Sequence, residues 1–169
     1  ALVASDGSVS ISAASSEDIL SVVANAGVAS DAGVAASLSV QVLDTQTLAY
    51  VADSPTGLST TVDAAGNVAI SATGTFKATL IAGPLGAAGT AGVGAASSTV
   101  VHDDVVKAFV GKAATVVTRG NVGLSLSATS SEDIISIAAA GGFAGTVGVA
   151  GSAVVTLLDE TTLAYIDTG

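Results

Sequence analysis

One stretch of this chain is written three times, and that repetition constrains the fold more than any local motif. Asp44-Thr45-Gln46-Thr47-Leu48-Ala49-Tyr50-Val51 returns as Asp159-Glu160-Thr161-Thr162-Leu163-Ala164-Tyr165-Ile166, and more loosely as Asp103-Asp104-Val105-Val106-Lys107-Ala108-Phe109-Val110. A repeated unit implies stacked modules in which each buries its neighbour, not one globular core. Gly66 to Val110 matches the first unit at a constant offset of 59, and the third unit matches the first at an offset of 115. The units are 7–51, 66–110 and 120–166, joined by connectors 52–65 and 111–119. The order is type one, type two, type one, so residues 1–169 read as one continuous repetitive segment of a longer chain.

Within a unit the signal is period two. Ser8-Val9-Ser10-Ile11-Ser12 alternates small polar with β-branched residues, the mark of a strand with one buried face. Ser15-Ser16-Glu17-Asp18 reads as a polar turn, Ile19 to Val23 as strand, and a Gly/Ala stretch follows to Ala36. Ser37 to Leu43 alternates again, with Leu38, Val40 and Val42 on one side and Ser37, Ser39 and Gln41 on the other. Asp44 to Gln46 then reads as an acidic turn that launches the strand Thr47 to Val51. Ser54, Pro55 and Gly57 predict a loop, and Ala64-Ala65-Gly66-Asn67 a turn into the strand Val68 to Ala72. Ala114 to Thr118 is a strand, Arg119-Gly120-Asn121 a turn, and Val122 to Ala128 a strand. Gly83, Gly86, Gly89 and Gly92 fall at every third position, too briefly and with too little proline for collagen; close backbone approach explains them better.

Half of the residues are apolar, yet only 3% are aromatic, and Met, Cys and Trp are absent. Ala, Val, Gly, Ser and Thr cannot bury the area per residue that a globular core needs, but they suit closely spaced backbones and hydrogen-bond ladders. The expected fold is all-β, a repetitive and elongated β-solenoid of the β-helix kind whose narrow interior holds ladders of Val, Ile, Leu and Ala. With coils of about 20 to 25 residues each unit would hold two or three of them. The alternative is packed antiparallel hairpins with a glycine/alanine-rich helix per unit.

Ile134 to Leu158 carries no charge over 25 residues and invites a transmembrane reading. The equivalent stretch of the first unit contains Asn25, Asp31 and Gln41, acids flank the third stretch, and five glycines interrupt it. A membrane span is disfavoured, and strands are preferred.

The pattern resembles the repeats of very large bacterial exoproteins, the filamentous haemagglutinin-like and leukotoxin-type adhesins. The resemblance rests on Ala91-Gly92-Val93-Gly94-Ala95-Ala96-Ser97 running into an acidic segment, on Thr162-Leu163-Ala164-Tyr165-Ile166, and on Gly66-Asn67-Val68-Ala69-Ile70-Ser71-Ala72. It implies an extracellular or cell-surface location, a repetitive β-rich stalk or fibre, and a structural or adhesive role with host or cell-surface glycans among the partners. The expected function is therefore a structural or adhesive repeat of a secreted or surface-attached fibre that self-associates along its axis. The alternative is a carbohydrate-active β-solenoid enzyme or glycan-binding module.

No enzyme is expected. His102 is the only histidine, cysteine is absent, and neither a Gly-x-Ser-x-Gly elbow nor a phosphate-cradling loop occurs. His102 beside Asp103 is half a triad at most; it stands where the sister units have Leu43 and Leu158, and reads as a tolerated substitution at a turn edge. The glycine-rich runs are packing devices, so no cofactor is expected. Calcium is the one ion that the pattern admits. Its candidate ligands are Glu17, Asp18, Asp44, Asp103, Asp104, Glu132, Asp133, Asp159 and Glu160, which would line up on stacked turns. The plainer reading is that these acids keep a β-surface soluble and block edge pairing.

The net charge of −10 argues against nucleic acid, which needs clustered Lys or Arg. The charge is uneven: residues 1–65 carry seven acids and no base, 66–119 two acids and four bases, and 120–169 five acids and no base. Neighbouring units, or fibres side by side in half-unit register, are expected to attract, in which case salt would weaken the association.

Overall fold

The computed structural model describes residues 1–53 and 59–167. The predicted loop at Ser54, Pro55 and Gly57 lies outside the described residues. The chain is all-β: β1 (Leu2–Ser5), β2 (Val9–Ala29), β3 (Ala32–Val51), β4 (Thr60–Ala64), β5 (Val68–Ala88), β6 (Ala91–Val110), β7 (Ala114–Thr118), β8 (Leu124–Ala138), β9 (Gly141–Ala144) and β10 (Val147–Ile166). These strands form three parallel sheets, β1-β4-β7, β2-β5-β8 with β9 continuing β8 along β5, and β3-β6-β10. Each turn of the chain visits the three sheets in order and returns one strand higher, which makes the fold a parallel β-solenoid of three coils. The antiparallel-hairpin alternative fails on the parallel pairing, and its glycine/alanine-rich helix is absent among the described residues.

Each sequence unit is one coil, not two or three. The strands run to 20 and 21 residues, so each long side spans roughly 66 Å at about 3.3 Å per residue. The two expected breaks do not occur. Ser15 to Asp18 lies inside β2, and Asp44 to Gln46 lies inside β3. An acidic dipeptide need not end a strand, because alternation sends one carboxylate inward and the other out. Real turns come where the sequence supplies Gly, Ser, Asn or Thr: near Ser30 and Asp31, Gly89 and Thr90, and Gly66 and Asn67.

Register follows the repeat. Asp44 pairs with Asp103 and Asp103 with Asp159, while Tyr50, Phe109 and Tyr165 form one outward ladder with ring centroids 4.9 and 5.2 Å apart and nearly parallel planes. Those spacings match the separation of neighbouring strands, about 4.8 Å. Asn67 pins the turn stack: its backbone N–H donates to Ser8 Oγ, and its Oδ1 accepts from the N–H groups of Val122 and Gly123, the latter at φ 76°.

The interior changes along the coil. Next to the short strands sits an aliphatic cluster that includes Val51, Val62, Val68, Ile70, Val106 and Val110, and further along a second one of Phe76, Ala78, Leu80 and Val100. Beyond that the two long sheets are tied by small hydroxyls, Ser21 to Ser39 at 3.0 Å and Ser136 to Ser98 at 2.8 Å. At the far tip they touch backbone to backbone. A methyl group at Gly27, Gly86 or Gly142 would run into the carbonyl of Val34, Val93 or Val149, so these stacked glycines close the coil. The sequence expectation of close backbone approach holds here, but that of an interior of Val, Ile and Leu holds only in part. In β3 the small residues Ser37 and Ser39 are buried, while Leu38 and Val42 are 65% and 72% exposed. The alternation of β3 turns its serines inward and its aliphatic side outward, while in coil two the buried Leu80 fills the column between Ser21 and Ser136.

The two long sheets are offset. Strand β3 packs on both β2 and β5, and β6 on both β5 and β8, whereas β10 reaches only β8 and β9. The inner face of β10 is consequently uncovered: Val154, Leu158 and Ile166 are about half exposed.

Candidate functional site

The repeat places the same four interior columns in every coil. Coil one fills them with Ser15, Glu17, Leu43 and Thr45, coil two with Gly74, Phe76, His102 and Asp104, and coil three with Ser130, Glu132, Leu158 and Glu160. Coil one is satisfied internally, with Thr45 Oγ1 donating to Glu17 Oε2 at 3.2 Å and Ser15 bonded to Thr47 at 2.6 Å.

Coil two is built differently. His102 is 1% exposed and Asp104 3%, both between the sheets. The imidazole stacks on Phe76 with centroids 4.0 Å apart and planes 8° from parallel, which fixes the ring. The lack of a side chain at Gly74 makes room for the Asp104 carboxylate, because a Cβ there would lie 3.1 Å from Oδ2. Ser130 Oγ, from coil three, donates to that same Oδ2 at 2.9 Å. Glu132 then brings Oε1 to 3.6 Å from His102 Nε2.

Three ligand-type atoms, one each from His102, Asp104 and Glu132, lie within 4.8 Å of one another. Both ring nitrogens of His102, Asp104 Oδ1 and Glu132 Oε1 are buried without a hydrogen bond. Burial pushes the Glu132 carboxyl above its ordinary value; His102 opposes this, and the charges of Glu160 and Asp104 add to it. Nothing else among the described residues gathers three such groups.

This corrects the placement of His102. It is no turn-edge residue but a core residue of β6, and Asp103 points away from it to the outer face. The calcium candidates are likewise not on turns. Glu17, Asp104 and Glu132 occupy interior columns, Glu160 the uncovered inner face of β10, and Asp18, Asp44, Asp103, Asp133 and Asp159 the outer faces. Stacking puts Asp44, Asp103 and Asp159 in one ladder and Asp18, Lys77 and Asp133 in another, and among the described residues no outer-face group brings three ligand atoms together. The sequence signal that would have found the interior trio is alternation carried through the acidic pairs, with Glu132 aligned against Phe76.

Two outer features complete the picture. The rings of Tyr50, Phe109 and Tyr165 stack face to face on one another, which covers both faces of Phe109 and one face of each tyrosine. Near the short strands, the Arg119 guanidinium pairs with Asp63 at the surface, and this hydrogen bond holds the Asp63 carboxyl below the usual range. No helix is long and apolar enough to cross a membrane.

Comparison with protein-family models, curated proteins and solved structures finds no match.

Proposed function

We propose that this chain is a structural and adhesive segment of a secreted or surface-attached fibre, not an enzyme. The observation that carries the reading is the continuous in-register stack of parallel coils. Strands β2 and β3 at one end, and β8 and β10 at the other, present unpaired backbone edges, and β10 also presents an uncovered inner face. Such edges template the addition of further strands along one axis. The broad outer face of β3-β6-β10, with Val34, Leu38, Val40 and Val42 exposed, supplies the apolar area for surface contact. His102 and Asp104 lie between the sheets, almost fully buried, and this favours the structural reading over a carbohydrate-active one.

Electron microscopy and small-angle scattering over a concentration series test the proposal. Rods whose length grows with concentration while their width stays constant are expected. A particle of fixed dimensions at every concentration and salt level, with no retention on hydrophobic or cell-derived surfaces, would overturn it.

A further inference from the structure

We infer that His102, Asp104 and Glu132 form an internal site for a divalent transition-metal ion of the zinc type, which bolts the second coil to the third. Beyond the three atoms within 4.8 Å, the inference stands on what surrounds them. Two of the three ligands are oriented by a partner that leaves a coordinating atom free. Phe76 holds the imidazole plane, and Ser130 engages Asp104 Oδ2 so that Oδ1 remains unpartnered. This division between a fixed atom and a free one is how outer-shell groups prepare metal ligands. An imidazole with two carboxylates suits zinc and its first-row neighbours, whereas calcium takes six to eight oxygens.

The separation of His102 Nε2 from Glu132 Oε1, 3.6 Å, is close to the roughly 3.4 Å between two ligands of a tetrahedral ion bound at about 2.1 Å. A surface depression is lined by Val101, His102, Asp103, Leu157, Leu158 and Asp159 beside the site. Glu160, whose charge already acts on Glu132, or a water molecule completes the coordination.

Coil one shows what these columns hold when no ion is needed: Leu43 for His102 and Thr45 for Asp104, with Glu17 bonded by Thr45. It therefore supplies the control substitutions. The chelator-treated full chain is titrated with zinc and, separately, with calcium while melting is followed, and with cobalt while visible absorption is followed. One zinc per chain is expected, with a concentration-dependent rise in melting temperature, a cobalt ligand-field band, and calcium at least about tenfold weaker. His102→Leu removes the band and the zinc response in a folded chain, and Asp104→Thr weakens zinc by about tenfold or more. Ser130→Ala, a positioning change, weakens zinc without abolishing it. If His102→Leu fails to fold, the wild-type cobalt spectrum and Asp104→Thr still decide. No zinc response at millimolar metal, an unaltered response in either ligand variant, or equal calcium and zinc affinity would each overturn the site. None of these outcomes depends on whether the chain assembles into rods.

Discussion

Asp103 and Asp104 are chain neighbours in different worlds, one in water and one between two sheets beside a stacked histidine. The same holds for Glu132 and Asp133, and burial raises the proton affinity of Glu132. A carboxyl whose folded pKa is raised binds its proton more tightly in the native state, so stability falls as pH climbs from the ordinary value of 4.5 through the raised one. In metal-free protein, urea midpoints should decline across that window, and Glu132→Gln should flatten the decline; an unchanged slope in the variant would count against a buried Glu132. At the opposite end of the coil, Asn67→Ala removes an acceptor serving two backbone N–H groups. That should cost about 1–2 kcal/mol, measurable by denaturant titration, with Asn67→Asp retaining most of the loss-sensitive contacts. The Gly66-Asn67 turn was legible in the sequence because only a few residue types serve such a turn. The interior trio was not legible, because a charged pair in isolation looks the same whether it bends the chain or straddles a strand.

At the scale of the element, what decides strand length is whether anything forbids extension. The extended chain runs through Ser15 to Asp18 and Asp44 to Gln46, as it does through Gly83-Pro84 of β5, and β2 and β3 reach 21 and 20 residues. The short strand Ala114–Thr118 was readable to its ends, since a β-branched run stands between clear turn residues. The facing of β3 was not: hydrophobicity alone would turn Leu38 and Val42 inward, yet Ser37 and Ser39 are the buried side. At the tip, glycine sets how closely the two sheets approach. Gly86→Val should force β5 from β6 and destabilise the fold by about 2–3 kcal/mol, with a matching drop in melting temperature. Gly83→Ala, where a Cβ meets only the Ala139 carbonyl at 3.7 Å, should be nearly neutral. Phe109→Ala breaks both ring contacts of the outer ladder and should cost about 1–2 kcal/mol by the same measurement.

For the molecule as a whole, the order of coil types governs assembly. Inside the chain Lys77 lies between Asp18 and Asp133, so charge alternates up that column, although Asp44, Asp103 and Asp159 already stack acid on acid. Two copies joined end to end in the register of the chain would set Asp133 against Asp18 and Glu132 against Glu17, acid upon acid where the chain itself interposes Lys77 and Phe76. Raising ionic strength or lowering pH should therefore promote end-to-end association, and sedimentation velocity across a salt series reads the sign directly. Rods that dissolve in salt would point to contacts between unlike coils instead. The type-one, type-two order was visible in the sequence from the start, but its consequence needed the parallel register, because only stacking says which charges meet.

The offset between the long sheets has a mechanical meaning. Because β3 rests on two strands of the opposite sheet and β6 on the next two, the coils overlap like courses of brick, and no flat plane separates one from another. Tension along the axis meets ladders of 21 and 20 residues acting together between the first two coils, and of 15, 4 and 20 residues between the second and third. A fibre made this way would hold its length under load until a whole course lets go at once.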